Sequence, residues 1–351
     1  MYRRRDERIK KPFIVFTVWL FEKKCVNLQP TNRRNMMGHL VSLLCSILLT
    51  FVELNCENLF DCRDDSLKQD EEWLPESPRH WNEHRYWQKL DHIGQEIIAC
   101  GEENGTWDLP DLVALTEVEN DSVMRDLTKR SLLRQAGYRY VMTDSPDLRG
   151  VDVALMYNPF TFLLLDHYSM RITPRKNMRP TRDILYAKGK IITGDTLHVF
   201  VVHAPSRYGG VRATRPNRLL VANRLCESID SIRMLNTDAR IIVAGDFNDG
   251  WNDASPRLIY RHGMVNISKK AKGRHGARGT YKFGGSWESI DHIIVSEPMA
   301  RRTTWCRVFD EPFVLEDDRK NGGVIPRRNY IGYRHNEGYS DHLPLVARFE
   351  L

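Results

Sequence analysis

Short apolar runs ending in polar residues alternate with turns along most of this chain, and two longer stretches have helical spacing. Runs of β-branched and aromatic residues bounded in this way predict strands. The predicted strands cover 51–55, 112–115, 138–142, 151–157, 162–168, 184–192, 197–203, 240–244, 290–295 and 343–349. Apolar positions three or four residues apart predict helices over 81–100 and 213–235, and Asn120 or Asp121 could cap a helix reaching about residue 133. Many strands with few helices between them favour packed β-sheets covered by helices over a strict βαβ repeat.

The first 50 residues differ from the rest of the chain. A cationic stretch beginning at Arg3 precedes an apolar run at 13–21, and a second apolar run spans 40–54. Neither run reaches the roughly 18 to 20 residues that a membrane-spanning helix needs, whereas both have the length of a secretory signal. We therefore predict that residues 1–50 form a leader, either a signal peptide or an anchor, and that the protein is exported or membrane-associated rather than cytoplasmic. Two alternatives stay open: a true start at Met36 or Met37, or a first core strand at 47–54 behind a ragged leader.

Composition and charge narrow the class of protein. The 351 residues are 41% hydrophobic and 10% aromatic, which suffices for one large core or two small ones and argues against disorder. The net charge of +6 is uneven: residues 1–37 hold ten Lys and Arg against three acids, which is +7, so residues 38–351 carry 6 − 7 = −1. The global charge therefore does not indicate a basic nucleic-acid binder. Cys56, Cys62, Cys100, Cys226 and Cys306 form no C-x-x-C pair, which argues against a zinc cluster or a dense disulfide framework.

Carboxylates follow two of the predicted strands. Glu117 ends the almost uncharged run Leu-Val-Ala-Leu-Thr-Glu, where its charge needs a cation or a hydrogen-bond donor. Magnesium favours such an oxygen ligand, although a salt bridge or a helix N-terminal charge would also explain the residue. Asn55 and Glu57, two residues apart, face the same side of an extended segment. The alternative for this pair is a turn-opening Asn beside a solvated Glu.

A second group of polar residues follows the strands at 197–203 and 240–244. Gly245 allows a close backbone approach, Asp246 could orient or deprotonate a water molecule, and Asn248 could donate to a phosphate oxygen. Gly-Asp-x-Asn is also a common turn. His203 ends its strand before a loop containing Arg207, whose donors suit an oxyanion, although a lone strand-end histidine is more often structural.

The strongest local signals are Ser289-Ile290-Asp291-His292 and Ser340-Asp341-His342. Asp341 could accept a hydrogen bond from another imidazole or from metal-bound water, while His342 faces a phosphate. A histidine can transfer protons near neutral pH. We predict that Asp291 orients an imidazole such as His342.

Together these motifs resemble the endonuclease/exonuclease/phosphatase superfamily, over about residues 51–351. They occur in the order typical of that superfamily: Asn55-Cys56-Glu57-Asn58, Leu115-Thr116-Glu117, His203-Ala204-Pro205-Ser206, Gly245-Asp246-Phe247-Asn248, Ile290-Asp291-His292 and Ser340-Asp341-His342. The resemblance implies a four-layer α/β/β/α sandwich in which two mixed β-sheets pack face to face with helices outside. It also implies a catalytic domain that hydrolyses a P–O bond with Mg²⁺ or Mn²⁺ through in-line attack of water.

The resemblance also implies roles for individual residues. Glu117 would be the main metal ligand, with Glu57 and Asp341 as further candidates, although Glu57 departs from the Asp or Asn usual at its position in repair nucleases. Asn55 and Asn248 would contact the phosphate and Asp246 would position the nucleophile. His203 and His342 would stabilise the oxyanion or protonate the leaving group, with Asp341 and Asp291 supporting them.

Two further stretches, Arg149-Gly150-Val151-Asp152 and Pro180-Thr181-Arg182-Asp183, resemble exported bacterial members of the superfamily. Arg149 and Arg182, together with Arg207, could clamp a substrate phosphate, while salt bridging across the fold is an equal alternative for Arg149 and Arg182. We expect a monomer without an obligate protein partner, acting on nucleic acid or on a small or lipid phosphodiester. The competing hypotheses are a catalytically silent phosphoester-binding domain, a phosphomonoesterase and a zinc-dependent hydrolase. The last lacks the expected H-E-x-x-H or Cys-rich spacing.

Overall fold

The computed structural model describes residues 47–103 and 105–351. Most of the predicted leader, with the apolar run at 13–21 and the candidate starts Met36 and Met37, lies outside the described residues. The first strand begins at Leu48. None of the helices in the described part of the chain combines the length and apolar character that crossing a bilayer requires.

Two six-stranded mixed sheets make up most of the fold. In chain order their strands are β1 (Leu48–Leu59), β2 (Leu112–Val118), β3 (Arg139–Met142), β4 (Asp152–Tyr157), β5 (Phe162–Met170), β6 (Ile184–Ile191), β7 (Thr196–His203), β8 (Arg240–Asp246), β9 (Met264–Asn266), β10 (Asp291–Ser296), β11 (Thr303–Val308) and β12 (Leu345–Glu350). The first sheet has the order β11-β12-β1-β2-β4-β3 and the second β9-β10-β8-β7-β6-β5. The pairs β1–β2 and β7–β8 are parallel, and the other pairs of neighbouring strands are antiparallel.

Helices and short hairpins complete the described structure. The helices are α1 (Glu83–Cys100), α2 (Asp121–Lys129), α3 (Val211–Leu235), α4 (Ala254–Arg261) and α5 (Glu297–Ala300), with 3₁₀ turns at Glu71–Trp73, Leu132–Gln135 and Pro312–Val314. Four two-stranded hairpins pair Glu102–Glu103 with Thr106–Trp107, Tyr281–Phe283 with Ser286–Glu288, Leu315–Asp317 with Val324–Pro326, and Tyr330–Ile331 with Arg334–His335.

The two sheets pack face to face, and helices cover their outer surfaces. Strand β7 illustrates this layered packing, because its side chains alternate between two cores. Val199 and Val201 belong to the cluster that contains the buried residues of the first sheet. Phe200 and Val202 instead pack with the apolar face of α3, while α1 packs against β1 of the other sheet. The predicted four-layer α/β/β/α sandwich is confirmed.

The structure differs from the predicted elements where the local signal is weak. Strands β9 and β11 were not predicted, because β9 is only three residues long and β11 is an edge strand with mostly half-buried side chains. The helix predicted to reach residue 133 ends at Lys129. Ser131 then accepts a hydrogen bond from the backbone N–H of Leu133 and starts a separate 3₁₀ turn.

Candidate active site

Three predicted site residues lie side by side on neighbouring strands of the second sheet. In the register of the sheet, Asp246 on β8 lies opposite His203 on β7 and opposite Asp291 on β10. In the facing sheet, Asn55 on β1 pairs with Thr116 on β2, immediately before Glu117. The strand ends of both sheets therefore present polar side chains at the same edge of the sandwich.

The backbone at this edge is unusual. Glu57, Asn58, Glu117 and Asn248 have φ angles of 51°, 58°, 59° and 50°, a left-handed region that residues with a side chain seldom occupy. The pairing of β1 with β2 shifts register between Asn55 and Leu59. Such conformations persist only where surrounding contacts hold them, and they cluster at functional sites.

Asp246 lies at the centre of the cluster and is buried. Asn55 Nδ2 donates to its Oδ2 at 3.2 Å, and Asn248 Nδ2 donates to the same oxygen at 3.1 Å. The backbone N–H of Asn248 donates to Oδ1 at 2.7 Å. Burial, and then the negative charge of Asp291, raise the pKa of Asp246 to about 7. This carboxyl group is thus fixed in orientation and can take up or release a proton near neutral pH.

His203 joins Asp246 to Glu117. Its Nε2 lies 3.7 Å from Asp246 Oδ2 and 3.8 Å from Glu117 Oε1. Burial lowers the pKa of His203 well below its ordinary value, and the positive charges of Arg182 and Arg149 lower it further. The imidazole is therefore neutral at neutral pH.

His342, in contrast to His203, is held in its protonated form. Its Nδ1 lies 2.8 Å from Asp291 Oδ2, while Thr280 Oγ1 donates to the same carboxylate and the Tyr281 ring packs against the imidazole with centroids 4.9 Å apart. Burial alone would lower the pKa of His342, but the carboxylate of Asp291 raises it well above its ordinary value. The imidazolium form is thus held beside Asp246, and the two histidines differ in charge.

Glu117 provides a carboxylate suited to a hard cation. The backbone N–H of Asn58 donates to its Oε2 at 2.9 Å, and Arg149 Nη2 lies 3.4 Å from its Oε1. The Arg149 side chain is 45% exposed, whereas that of Glu117 is 12% exposed. A half-buried carboxylate with one backbone hydrogen bond offers the kind of oxygen ligand that Mg²⁺ or Mn²⁺ prefers.

The other predicted metal ligands have protein partners. Glu57 Oε2 accepts from the backbone N–H of Asn329 at 2.6 Å and lies 3.9 Å from Lys89 Nζ. Burial, and then the charge of Asp341, raise the pKa of Glu57 to about 7. Asp341 itself lies 3.7 Å from Arg328 Nη2. Glu57 is thus held by a backbone N–H and lies near a buried lysine, whereas the Asp341 carboxylate has only the Arg328 contact among the described residues.

One group of three ligand-type side chains has its donor atoms within 4.8 Å of one another in the described residues, namely Asp246, Asp291 and His342. The predicted ligands Glu57, Glu117 and Asp341 do not form such a group. The Asp246 group is internally hydrogen-bonded through His342 and Asp291. Asp246 and Asp291 offer the carboxylate oxygens that Mg²⁺ prefers, while the His342 imidazole is hydrogen-bonded to Asp291.

A profile described as "Endonuclease/Exonuclease/phosphatase family" matches residues 50–350. The chain belongs to this family. A family member of known structure from Bacteroides thetaiotaomicron is 18% identical and superposes with a TM-score of 0.58, covering 87% of this chain and 99% of that chain.

Two further solved structures share the fold of this endonuclease/exonuclease/phosphatase family member. A mannosyl-6-phosphatase from Bacteroides thetaiotaomicron is 18% identical with a TM-score of 0.57, covering 85% of this chain and 98% of that chain. The human Nocturnin catalytic domain with bound sulfate anion is 17% identical with a TM-score of 0.51, covering 86% and 93%. No curated protein matches the chain. At these identities the neighbours show the fold alone.

The three predicted phosphate-binding arginines occupy different positions in this family member. Arg149 lies at the centre, between Glu117 and Asn58 Oδ1. Arg182 is buried and donates from Nη2 to the carbonyl of Ala204 at 2.8 Å. Arg207 is paired with Glu288 and donates to the carbonyl of Asn248 at 2.7 Å. Arg149 thus contacts the carboxylate of a predicted site residue, whereas Arg182 and Arg207 donate to backbone carbonyls of the loops beside the site.

Several residues around the site were not predicted from the sequence. Ser340 Oγ donates to the carbonyl of Asn55 at 2.6 Å and accepts from the backbone N–H of His342 at 3.1 Å, so it joins two motifs. Lys89 is fully buried on α1 and donates to the carbonyl of Tyr339. A charged residue on the apolar face of a helix was a signal that could have identified Lys89. Ser340 stands in the predicted motif Ser340-Asp341-His342 without a predicted role, and Thr280 carries no local signal.

Proposed function

We propose that this family member is a divalent-metal-dependent phosphoester hydrolase of the endonuclease and phosphodiesterase type. The observation that carries the proposal is the position of His203 Nε2, 3.8 Å from Glu117 and 3.7 Å from Asp246. Side chains from positions 117, 203 and 246 thereby share one buried centre with the His342–Asp291 pair. A metal ion, held by Glu117, would neutralise charge that develops on the phosphoryl oxygens.

Side chains of the protein would provide proton transfer and further stabilisation of the oxyanion. Asp246, fixed by the amides of Asn55 and Asn248, accepts a proton from the attacking water. Neutral His203 accepts or donates a hydrogen bond without adding charge. The His342 imidazolium, held by Asp291, stabilises the oxyanion and can protonate the leaving group.

The class of phosphoester is a finer proposal. The near-neutral charge of residues 38–351 supports a small or lipid phosphoester over a long duplex, and it leaves single-stranded nucleic acid open. The mannosyl-6-phosphatase among the structural neighbours makes a sugar phosphate monoester the second candidate. Against a catalytically silent domain, every acid and imidazole of the predicted site is present.

The test is a phosphoester panel with Mg²⁺, Mn²⁺ or EDTA. It includes plasmid DNA, an abasic duplex, bis-p-nitrophenyl phosphate, sphingomyelin, inositol phosphates and mannose 6-phosphate. We expect the protein to hydrolyse at least one member of the panel. EDTA should abolish this hydrolysis, and Glu117→Ala and His342→Ala should each reduce its rate by about a hundredfold or more. Glu297→Ala, at an exposed glutamate on α5, is the control. Activity that survives both EDTA and the two site substitutions contradicts the proposal.

We propose further that the protein acts as a monomer and that its leader directs export. Export would place the enzyme where phosphoesters are scavenged rather than where a genome is repaired. N-terminal sequencing of the mature protein tests this, because an intact Met1 in a cytosolic fraction rules out a cleaved leader.

A further inference from the structure

A cavity of about 470 Å³ lies beside the catalytic centre. It is lined by the loop after β5, the loop after β7 and the segment around Arg149. Arg149 is also the ion-pair partner of Glu117, at 3.4 Å, and Arg182 binds the carbonyl next to His203. The cavity and the catalytic centre thus share a wall.

Three buried side chains of this wall have unused hydrogen-bonding capacity: Arg182, Thr181 and Asp147, whose Oδ2 has no partner among the described residues. Arg182 is 6% exposed and Thr181 is 3% exposed. Arg182 Nε and Thr181 Oγ1 have no hydrogen-bond partner within residues 47–103 and 105–351. Buried polar groups are normally paired, so an unpaired donor and an unpaired hydroxyl lining one cavity indicate a ligand.

The charge of the cavity specifies the kind of ligand. Residues 171–182 contain five Lys and Arg and no acid, which is 5 − 0 = +5, in a body of net −1. One of these cations, Arg171, is paired with Asp183, and Asp147 lies 3.4 Å from Arg182. The exposed Arg179 also lines the cavity. The lining has Arg149, Arg179 and Arg182 against Asp147, which is 3 − 1 = +2.

We propose that this cavity binds a second phosphate group of the substrate, so that the enzyme prefers phosphoesters carrying two phosphates. This inference rests on the proposed function for the group that is cleaved. Guanidinium groups match phosphate oxygens in pairs, and a phosphate offers three strong acceptors to Arg179, Arg182 and the Thr181 hydroxyl. The cavity has room for one such group with part of the alcohol that carries it. The second phosphate could belong to a sugar bisphosphate or to a 5′-phosphorylated oligonucleotide.

Two matched substrate pairs separate these sources. One pair is fructose 1,6-bisphosphate and fructose 6-phosphate, and the other is a thymidine dinucleotide with and without a 5′-phosphate. We expect kcat/KM to be about tenfold or more higher for the bisphosphorylated member of one pair. Arg179→Gln removes the charge of an exposed side chain, and Thr181→Val removes a hydroxyl while keeping the shape of the side chain. Both substitutions should remove most of that preference. Arg301→Gln, at a surface arginine that directly follows α5 and pairs with Glu297, should leave it unchanged.

A binding measurement separates this inference from the proposed function. Isothermal titration calorimetry in EDTA gives the dissociation constants of both members of each pair without turnover. A preference for the second phosphate that Arg179→Gln and Thr181→Val abolish supports the inference, even if no substrate is hydrolysed and the proposed function fails. Turnover with equal affinity for both members of each pair overturns the inference and leaves the proposed function intact. Variants that keep the wild-type preference also overturn it.

Discussion

The charge difference between the two histidines leads to a specific prediction for Asp291→Asn. Asp291 holds the His342 proton through a contact of 2.8 Å, and it is also the main neighbouring charge that raises the pKa of Asp246. Replacing the carboxylate with an amide should therefore lower the pKa of both groups. The pH–rate profile should shift at both limbs, because ionised Asp246 sets the acid limb and protonated His342 sets the basic limb.

The size of the shift follows from the contact distance. Two unit charges 2.8 Å apart interact by about 6 kcal/mol at an effective dielectric constant of about 20, which equals about 4 pKa units. Because an amide retains part of the hydrogen bonding, we expect the basic limb to fall by about 2 units, within the range usual for one neighbouring charge. The acid limb should fall by about 1 unit, because Asp291 acts on Asp246 only through space.

The assay is kcat/KM for the best substrate of the phosphoester panel between pH 5 and 10, at saturating metal. Asp310→Asn is the matched control, since Asp310 is buried and accepts three backbone N–H bonds away from the site. That control should lose stability but keep both limbs. A uniform loss of rate for Asp291→Asn with both limbs unmoved would show that Asp291 does not set the protonation of His342 and Asp246.

Two further predictions concern stability. Burial raises the pKa of Glu96 on α1 to about 8 from 4.5, so the folded protein binds a proton that the unfolded chain has released, and stability falls as pH rises between these values. In guanidinium titrations, the free energy of unfolding of the wild-type protein should fall between pH 5 and 8, and Glu96→Gln should remove about 3 kcal/mol of that fall. A pH dependence that Glu96→Gln leaves unchanged contradicts this. For Gly245, with φ of 140°, an added Cβ would lie 1.8 Å from the carbonyl oxygen of Val202, so Gly245→Ala should cost about 3 kcal/mol or more. Gly194→Ala, with φ of 87° and open space around it, should cost only about 1 kcal/mol, and equal costs would show that the close approach is not the cause.

The sequence predicted the sandwich and its strand-end residues because both depend on local patterns. Asp246 and His203 each terminate a run of buried apolar residues, and such runs identify a strand and its end together. Strand β11 was not predicted because its edge position leaves most of its side chains half exposed, without an apolar pattern. Its place in the sheet is set by pairing with β12, which no local pattern encodes.

The electrostatics of the site could not be predicted from the sequence. His203 and His342 are the same residue type, yet burial near Arg182 makes one neutral and Asp291 keeps the other charged. These partners are distant in the sequence and meet only in the folded chain. The same holds for Ser340, whose contacts link β1 to the His342 loop.

We propose that Asp246 is the base of one catalytic centre built from both sheets. The direct test is kcat/KM of Asp246→Asn on the best substrate of the panel, with Asp195→Asn as a control in the exposed turn between β6 and β7. We expect a loss of about a thousandfold for Asp246→Asn and wild-type activity for Asp195→Asn. A folded Asp246→Asn enzyme with activity within about twofold of wild type would contradict this role, because the transition state would then not depend on the Asp246 carboxylate.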